Sequence, residues 1–428
     1  MLKSSVTYLY VSLLSFGLLS PHALAEESAS DPDDSTRIED PEIEDAEIDA
    51  DGSLDDSESS IEAVEDKRGW AMVTDIRTSY VFESFDFDNI IDLDDNLIRS
   101  RLRLNADWAV SERLRISGRI AGLWSTNERI SEFIFQPDIP TRTGIEEGQV
   151  TFDELFVHWH TRQRSDLAVG RLQTKFVARG GVFAKSLDRN DSNNLRVNWT
   201  DGVYGTLRHK SGWTTHMILQ YNAADGPGNV RWSPLDFSDG ETRTTYFLAF
   251  ENRERSGMLL QRGLDISYLP ATLLKNGALG KRREDYWGLV ARAAIRIPAR
   301  GEGTRLRVSS EIGYAPETQT NTAANLAGVG DTDGLAWNFT ASIMDFLPNH
   351  SIGINYGQTG AGWLLSPQYR NNEELFEIRY LWRKNRNLAV DLRGRWRTNL
   401  ERSLTAPKKR EGFDLYLRLT WGISLKSL

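Results

Sequence analysis

The stretch Arg99-Ser100-Arg101-Leu102-Arg103-Leu104-Asn105-Ala106-Asp107-Trp108-Ala109-Val110 alternates strictly. Leu102, Leu104, Ala106, Trp108 and Val110 take one set of alternate positions, and Arg99, Arg101, Arg103, Asn105 and Asp107 take the other. Successive side chains leave a β-strand on opposite faces, so this is a strand with one apolar and one charged face. The pattern returns down the chain. Leu306, Val308, Ile312 and Tyr314 oppose Arg305, Arg307, Ser309 and Glu311; Leu388, Val390, Leu392 and Trp396 oppose Asp391, Arg393, Arg395 and Arg397. About sixteen such segments run between 70 and 423, among them 97–110, 150–160, 166–172, 258–268 and 412–423.

Between them, short connections such as Ser111-Glu112-Arg113, Lys210-Ser211-Gly212 and Lys384-Asn385-Arg386 take turns with long ones over 125–149, 173–200, 223–242 and 315–334. That asymmetry belongs to an up-and-down antiparallel sheet of the transmembrane barrel type. The expected fold is therefore all-β: a closed transmembrane β-barrel over 67–428, of about sixteen strands, with eighteen also compatible. A barrel that wide cannot fill its interior with side chains, so its apolar face meets lipid and its polar face meets water. Many of the 13 Trp and 13 Tyr fall at segment ends, where interfacial girdles belong. All 13 prolines are expected in connections or N-terminal to the barrel, because proline cannot donate to a strand ladder. Two places disturb the alternation. Arg262 falls on the lipid side among Leu260, Leu264 and Ile266, and the parity of 150–160 and 166–172 is ambiguous.

The chain has 428 residues, no cysteine and a mean hydropathy of −0.46. Disulfides, thiolate nucleophiles and thiolate metal sites are excluded, and no apolar run reaches the ~18 residues that a spanning helix needs. Residues 1–25 read as a secretory signal: Lys3, an apolar core from Tyr8 to Leu19, and the small-residue exit Ala23-Leu24-Ala25. Charge is then divided. Residues 26–66 hold 19 acidic side chains against Arg37, a net −18, whereas 67–428 hold 49 basic and 42 acidic ones, a net +7. Lacking large apolar content, 26–66 is expected to stay unordered in isolation, as an acidic periplasmic segment drawn toward the mouth of a basic barrel. Within it, Glu47 to Glu58 follows the EF-hand calcium-loop pattern, with Asp49, Asp51, Ser53, Asp55 and Glu58 at liganding positions and Gly52 at the sharp turn. Glu47 departs from the Asp that opens such loops, and a plain solvated acidic spacer is the other reading.

Three local pieces carry a resemblance: Phe152-Asp153-Glu154-Leu155-Phe156-Val157, Val169-Gly170-Arg171-Leu172-Gln173-Thr174-Lys175-Phe176 and Asn198-Trp199-Thr200-Asp201-Gly202-Val203. The chain resembles the outer-membrane porin superfamily, in particular the sixteen-stranded phosphate-selective (porin O/P) type. The alginate-export barrels, with eighteen strands and an arginine-lined lumen, share the texture. The resemblance implies a homotrimer in the outer membrane of a Gram-negative bacterium. It also implies that 173–200 folds inward as a constriction loop carrying Lys175, Arg179, Lys185, Asp188, Arg189 and Asp191. It departs at the C-terminal end, where the last aromatic is Trp421.

With the apolar face outward, Arg99, Arg101, Arg103, Arg115, Arg119, Arg305, Arg307, Arg393, Arg395 and Arg397 face the lumen. Arginine outnumbers lysine 39 to 10 over 67–428. Guanidinium groups stay charged at any physiological pH and pair bidentately with oxyanions, so rows of them favour anions. The expected function is passive diffusion of small hydrophilic solutes with a preference for anions, by a barrel whose other contact is outer-membrane lipid. Three alternatives stand beside it: a field across the pore that orients solutes without selecting them, a channel for an acidic oligo- or polysaccharide, and a structural barrel that conducts nothing. No nucleophile–base constellation points to an enzyme, and no stacking platform points to nucleic acid. Calcium apart, no cofactor is expected. His158 and His160 share a strand face with Glu154 and could chelate a metal ion, although lumen-lining polar residues are the simpler account.

Overall fold

The computed structural model describes residues 69–87, 91–126, 133–136, 145, 147–162, 164–190, 197–222, 233–238, 240–254, 257–277, 282–298, 304–385 and 387–426. The expected leader, the acidic segment with its calcium-loop residues, and Asp191 lie outside the described residues.

Sixteen strands form one closed antiparallel ring. They are β1 (Gly69–Phe87), β2 (Ile91–Ser111), β3 (Leu114–Ser125), β4 (Gln149–Arg162), β5 (Ser165–Leu172), β6 (Thr200–Arg208), β7 (Trp213–Tyr221), β8 (Thr244–Arg253), β9 (Leu259–Leu273), β10 (Glu284–Pro298), β11 (Arg305–Tyr314), β12 (Leu335–Leu347), β13 (His350–Thr359), β14 (Glu373–Asn385), β15 (Leu388–Asn399) and β16 (Glu411–Lys426). Each pairs with its sequence neighbours, and β16 returns to β1, from Ala71 opposite Lys426 to Asp86 opposite Glu411. Turns such as 112–113, 209–212 and 348–349 gather at one end, and loops such as 173–199 and 315–334 at the other.

The alternation sets outward and inward directions as expected, but most of the inward charged side chains expected to meet water are almost wholly inaccessible to it. Leu104, Trp108, Leu415, Leu417, Leu419 and Trp421 are exposed on the outer wall, while Arg101, Arg103, Asp414 and Arg418 between them are buried inside. Aromatic rings mark two levels of that wall. Tyr246, Tyr268 and Trp287 stack across β8–β10 at the long-loop end, with centroids 5.9 and 4.2 Å apart. Trp108, Trp159 and Trp213 lie near the short turns.

Arg262 does point outward, at the short-turn end of β9. There its guanidinium lies 3.8 Å from Glu254 and 5.2 Å from the Trp213 ring centroid, and its Nε donates to Asn252 Oδ1 at 3.1 Å. Interfacial depth and these partners make the position tolerable. A bulge between Leu259 and Gln261 turns both Leu260 and Gln261 inward, which is where strict alternation fails. The prolines are not all in connections: Pro270 lies within β9 and Pro298 ends β10. Pro270 sits where the β9–β10 ladder is interrupted between Leu269 and Leu273, so no pairing N–H is lost.

The interior is occupied by two loops. The 173–199 loop carries a short hairpin, Ala178–Arg179 against Ala184–Lys185. The 360–372 loop places Trp363, Leu364, Leu365 and Tyr369 in an apolar cluster with Leu187 and with Leu269, Leu273, Tyr286, Val290 and Leu375 of the wall. Burying side chains of this size stabilises by about 1.5–3 kcal/mol each, enough to hold a loop inside an otherwise polar lumen. Inward-facing Gly313 makes room: a Cβ there would come within 2.8 Å of the Trp363 ring.

Candidate functional site

The lumen wall formed by β14–β16 and β1–β3 carries most of the arginines. On β15 the period-2 rule aims Arg393, Arg395 and Arg397 inward in a row, and all three are buried. Arg393 Nε is 3.9 Å from Glu377, Arg395 donates to Asp414 at 2.6 Å, and Arg397 pairs with Glu373. Arg379 grips Asp391 bidentately at 2.9 and 2.6 Å, and Arg418 reaches the same carboxylate at 2.8 Å. Arg77 and Arg101 share Asp75 at 3.2 and 3.3 Å. Arg99 pairs with Glu147 at 2.8 Å and Arg115 with Asp107 at 2.8 Å.

On β3 and β4 the ratio is even, for a reason the alternation concealed. The β3–β4 register slips between Arg119 and Ile120, a bulge that turns both Asp153 and Glu154 inward. Asp153 then holds Arg103 and Arg119 at 2.9 Å each, and Glu154 meets Arg119 at 2.8 Å. The bulge is also why the parity of 150–160 could not be read along the sequence.

Eight strands round the ring from β2, the stoichiometry inverts. Arg292 of β10 meets three carboxylates: Asp265, Glu311 at 3.1 Å and Asp188 of the inward loop at 3.3 Å. Near β1 and β15 one carboxylate serves two guanidiniums; at β10 one guanidinium serves three carboxylates. The two groups thus differ in how many carboxylates each guanidinium meets.

Lys185, Asp188 and Arg189 of the 173–199 loop anchor it to the wall through their side chains. Lys185 Nζ donates to Glu377 at 2.6 Å, Asp188 meets Arg292, and Arg189 donates to Thr174 and Thr200 at 2.9 Å each and lies over the Phe247 ring at 5.0 Å. The Arg179 backbone N–H donates to Gln261 Oε1 at 2.8 Å, and Lys175 forms a β-bridge with Asn190. Arg379 Nη1 donates to Val182 O at 2.6 Å, and Trp363 Nε1 donates to Leu187 O at 2.8 Å. Thus the two inward loops hold each other. Sequence reasoning overlooked 360–372, although Trp363-Leu364-Leu365 is an apolar run inside a connection and was a readable signal. Arg305 and Arg307 face inward on β11, with Arg305 3.4 Å from Asp345 near the short turns.

No family model and no curated protein matches the chain in sequence. Solved structures do. OprB of Pseudomonas putida superposes with a TM-score of 0.57 at 10% identity, over 83% of this chain and 94% of OprB. A BenF-like porin from Pseudomonas fluorescens Pf-5 gives 0.52 at 11% identity, and OpdL of Pseudomonas aeruginosa gives 0.51 at 12%. Each covers 83% of this chain and 99% of its own. The barrel is of their fold. At these identities the likeness reaches strand number and closure, while the charged lining belongs to this chain's own residues.

Proposed function

We propose that this protein is an outer-membrane channel for passive diffusion of small hydrophilic solutes, with a preference for anions. The observation that carries the preference is the inward row of Arg393, Arg395 and Arg397 on β15, in a barrel region whose 49 basic and 42 acidic residues leave it at a net +7. An anion passing between the walls is attracted to guanidinium groups that stay charged and is turned by the carboxylates around Arg292. The outward apolar wall and its two aromatic levels support residence in a bilayer. The first strand starts at the short-turn end, which in this reading is the periplasmic side and the side where 26–66 joins the barrel. Inorganic phosphate, organic acids and acidic oligosaccharides all fit a guanidinium-lined wall.

The test is the reversal potential of purified protein in planar bilayers under a salt gradient. Wild type should show open currents with anions more permeant than cations. Changing Arg393, Arg395 and Arg397 together to Ala should move the reversal potential toward cation selectivity. Currents without selectivity would leave a general diffusion pore, and a silent bilayer would favour a structural barrel.

A further inference from the structure

Near the short turns, β4 and β5 bring together three side chains that the channel reading does not use. His158 and His160 alternate on β4 and both face the lumen; their ring centroids are 4.3 Å apart with planes at 72°. Asp166 of β5 lies opposite His160 in the ladder, and its Oδ1 is 2.5 Å from His160 Nδ1. One ligand atom from each of the three lies within 4.8 Å of the others. Glu154, which the sequence alone suggested as their companion, is instead engaged by Arg119. The third ligand comes from the neighbouring strand.

We propose that His158, His160 and Asp166 form a binding site for a divalent transition-metal ion of the zinc class. Two imidazoles and a carboxylate are the protein ligands of an open tetrahedral zinc site, in which water takes the fourth position, and imidazole nitrogen disfavours magnesium or calcium. The ion takes the place of the hydrogen shared between His160 Nδ1 and Asp166 Oδ1. The surroundings leave that oxygen available. Asp166 Oδ2 is the atom held by Arg208 at 2.6 Å and by Thr206 Oγ1 at 3.1 Å, which fixes the carboxylate and turns Oδ1 toward the imidazoles. Arg115, opposite His158 in the β3–β4 ladder, is drawn away by Asp107 at 2.8 Å. The two nearby cations thus each have a carboxylate oxygen other than Asp166 Oδ1.

The experiment uses the full chain folded in detergent, with Co2+ as a spectroscopic probe and Zn2+ as competitor. A single equivalent of Co2+ should give the intense visible absorption of four-coordinate cobalt with nitrogen and oxygen ligands, and a single equivalent of Zn2+ should abolish it. His158→Ala and Asp166→Asn should each lose the band. Thr206→Ala, which loosens only the carboxylate's support, should keep it with affinity reduced roughly 10- to 100-fold. The heat-dependent gel mobility of a folded barrel confirms that each variant has assembled. Only the weak spectrum of hydrated cobalt in wild type, or an undiminished band in His158→Ala, would overturn the site. Neither result depends on whether the barrel conducts.

Discussion

Lys185 is the most informative single position, because it fastens the inward loop to the barrel through one buried ion pair. Its Nζ lies 2.6 Å from Glu377 Oε2, and both side chains are essentially inaccessible to solvent. Lys185→Met keeps the length of the side chain and removes the charge, leaving the Glu377 carboxylate facing Arg393 at 3.9 Å. Removing one partner of a buried pair costs about 3–5 kcal/mol when the remaining charge has no other partner, and Arg393 reduces that to about 2–3 kcal/mol here. The wall strands keep their ladders, so the cost falls on local opening of the 178–188 segment. At 1.36 kcal/mol per tenfold, its backbone amides should exchange with deuterium roughly 30- to 150-fold faster. Adding Glu377→Gln removes the stranded charge and should restore most of the protection. Hydrogen exchange read by mass spectrometry on barrels in nanodiscs is the assay. Unchanged protection in the single variant, or equal loss in the single and the double, would refute the idea that this pair holds the loop.

Three further outcomes follow from the same geometry. Asp153→Asn removes a carboxylate shared by Arg103 and Arg119 while Glu154 still holds Arg119, so the anion-to-cation permeability ratio should rise; an unaltered ratio would mean that these arginines lie outside the conducting path. Trp363→Ala empties the centre of the interior apolar cluster and should cost about 3–5 kcal/mol in reversible urea unfolding, whereas a cost under about 1 kcal/mol would show that the 360–372 loop contributes little to the fold. Deleting 26–66, a segment of net −18, should increase anion current at low salt and make little difference at high salt, where screening shortens its reach; equal currents at both would end the case for its influence on the pore.

Much of the barrel was legible because each strand has an apolar outer face and a charged inner face and so repeats its instruction every second residue. The segments read as 97–110 and 412–423 are β2 and β16, which continue to Ile91–Ser111 and Glu411–Lys426. The extensions were hidden because Asp92, Asp94 and Asp95 break the apolar rhythm of β2 near the long-loop end. The inward direction of Arg101 or Arg393 was equally legible. What each guanidinium meets was not, since Asp75, Asp391 and Asp414 become neighbours only through ladder register. Bulges are hidden for a related reason. One unpaired residue, Asp153 between the Arg119–Glu154 and Ile120–Phe152 pairs, reverses the parity of everything beyond it, and nothing in Phe152-Asp153-Glu154 announces the slip. The docking of 360–372 required Gly313 on another strand, 50 residues before Trp363 and so roughly 170 Å away along an extended chain, where nothing local could signal it.

The seam where Ala71 meets Lys426 and Asp86 meets Glu411 joins the two extremes of the ring. Until the final strand has been delivered, the growing sheet presents two raw margins of unsatisfied amides and carbonyls, each able to recruit another chain. Closure consequently waits on the last strand, whose ladder to β1 satisfies both margins together. A circular permutant opened at the 348–349 turn would relocate that vulnerable join to β12 and β13 and leave the finished wall unaltered.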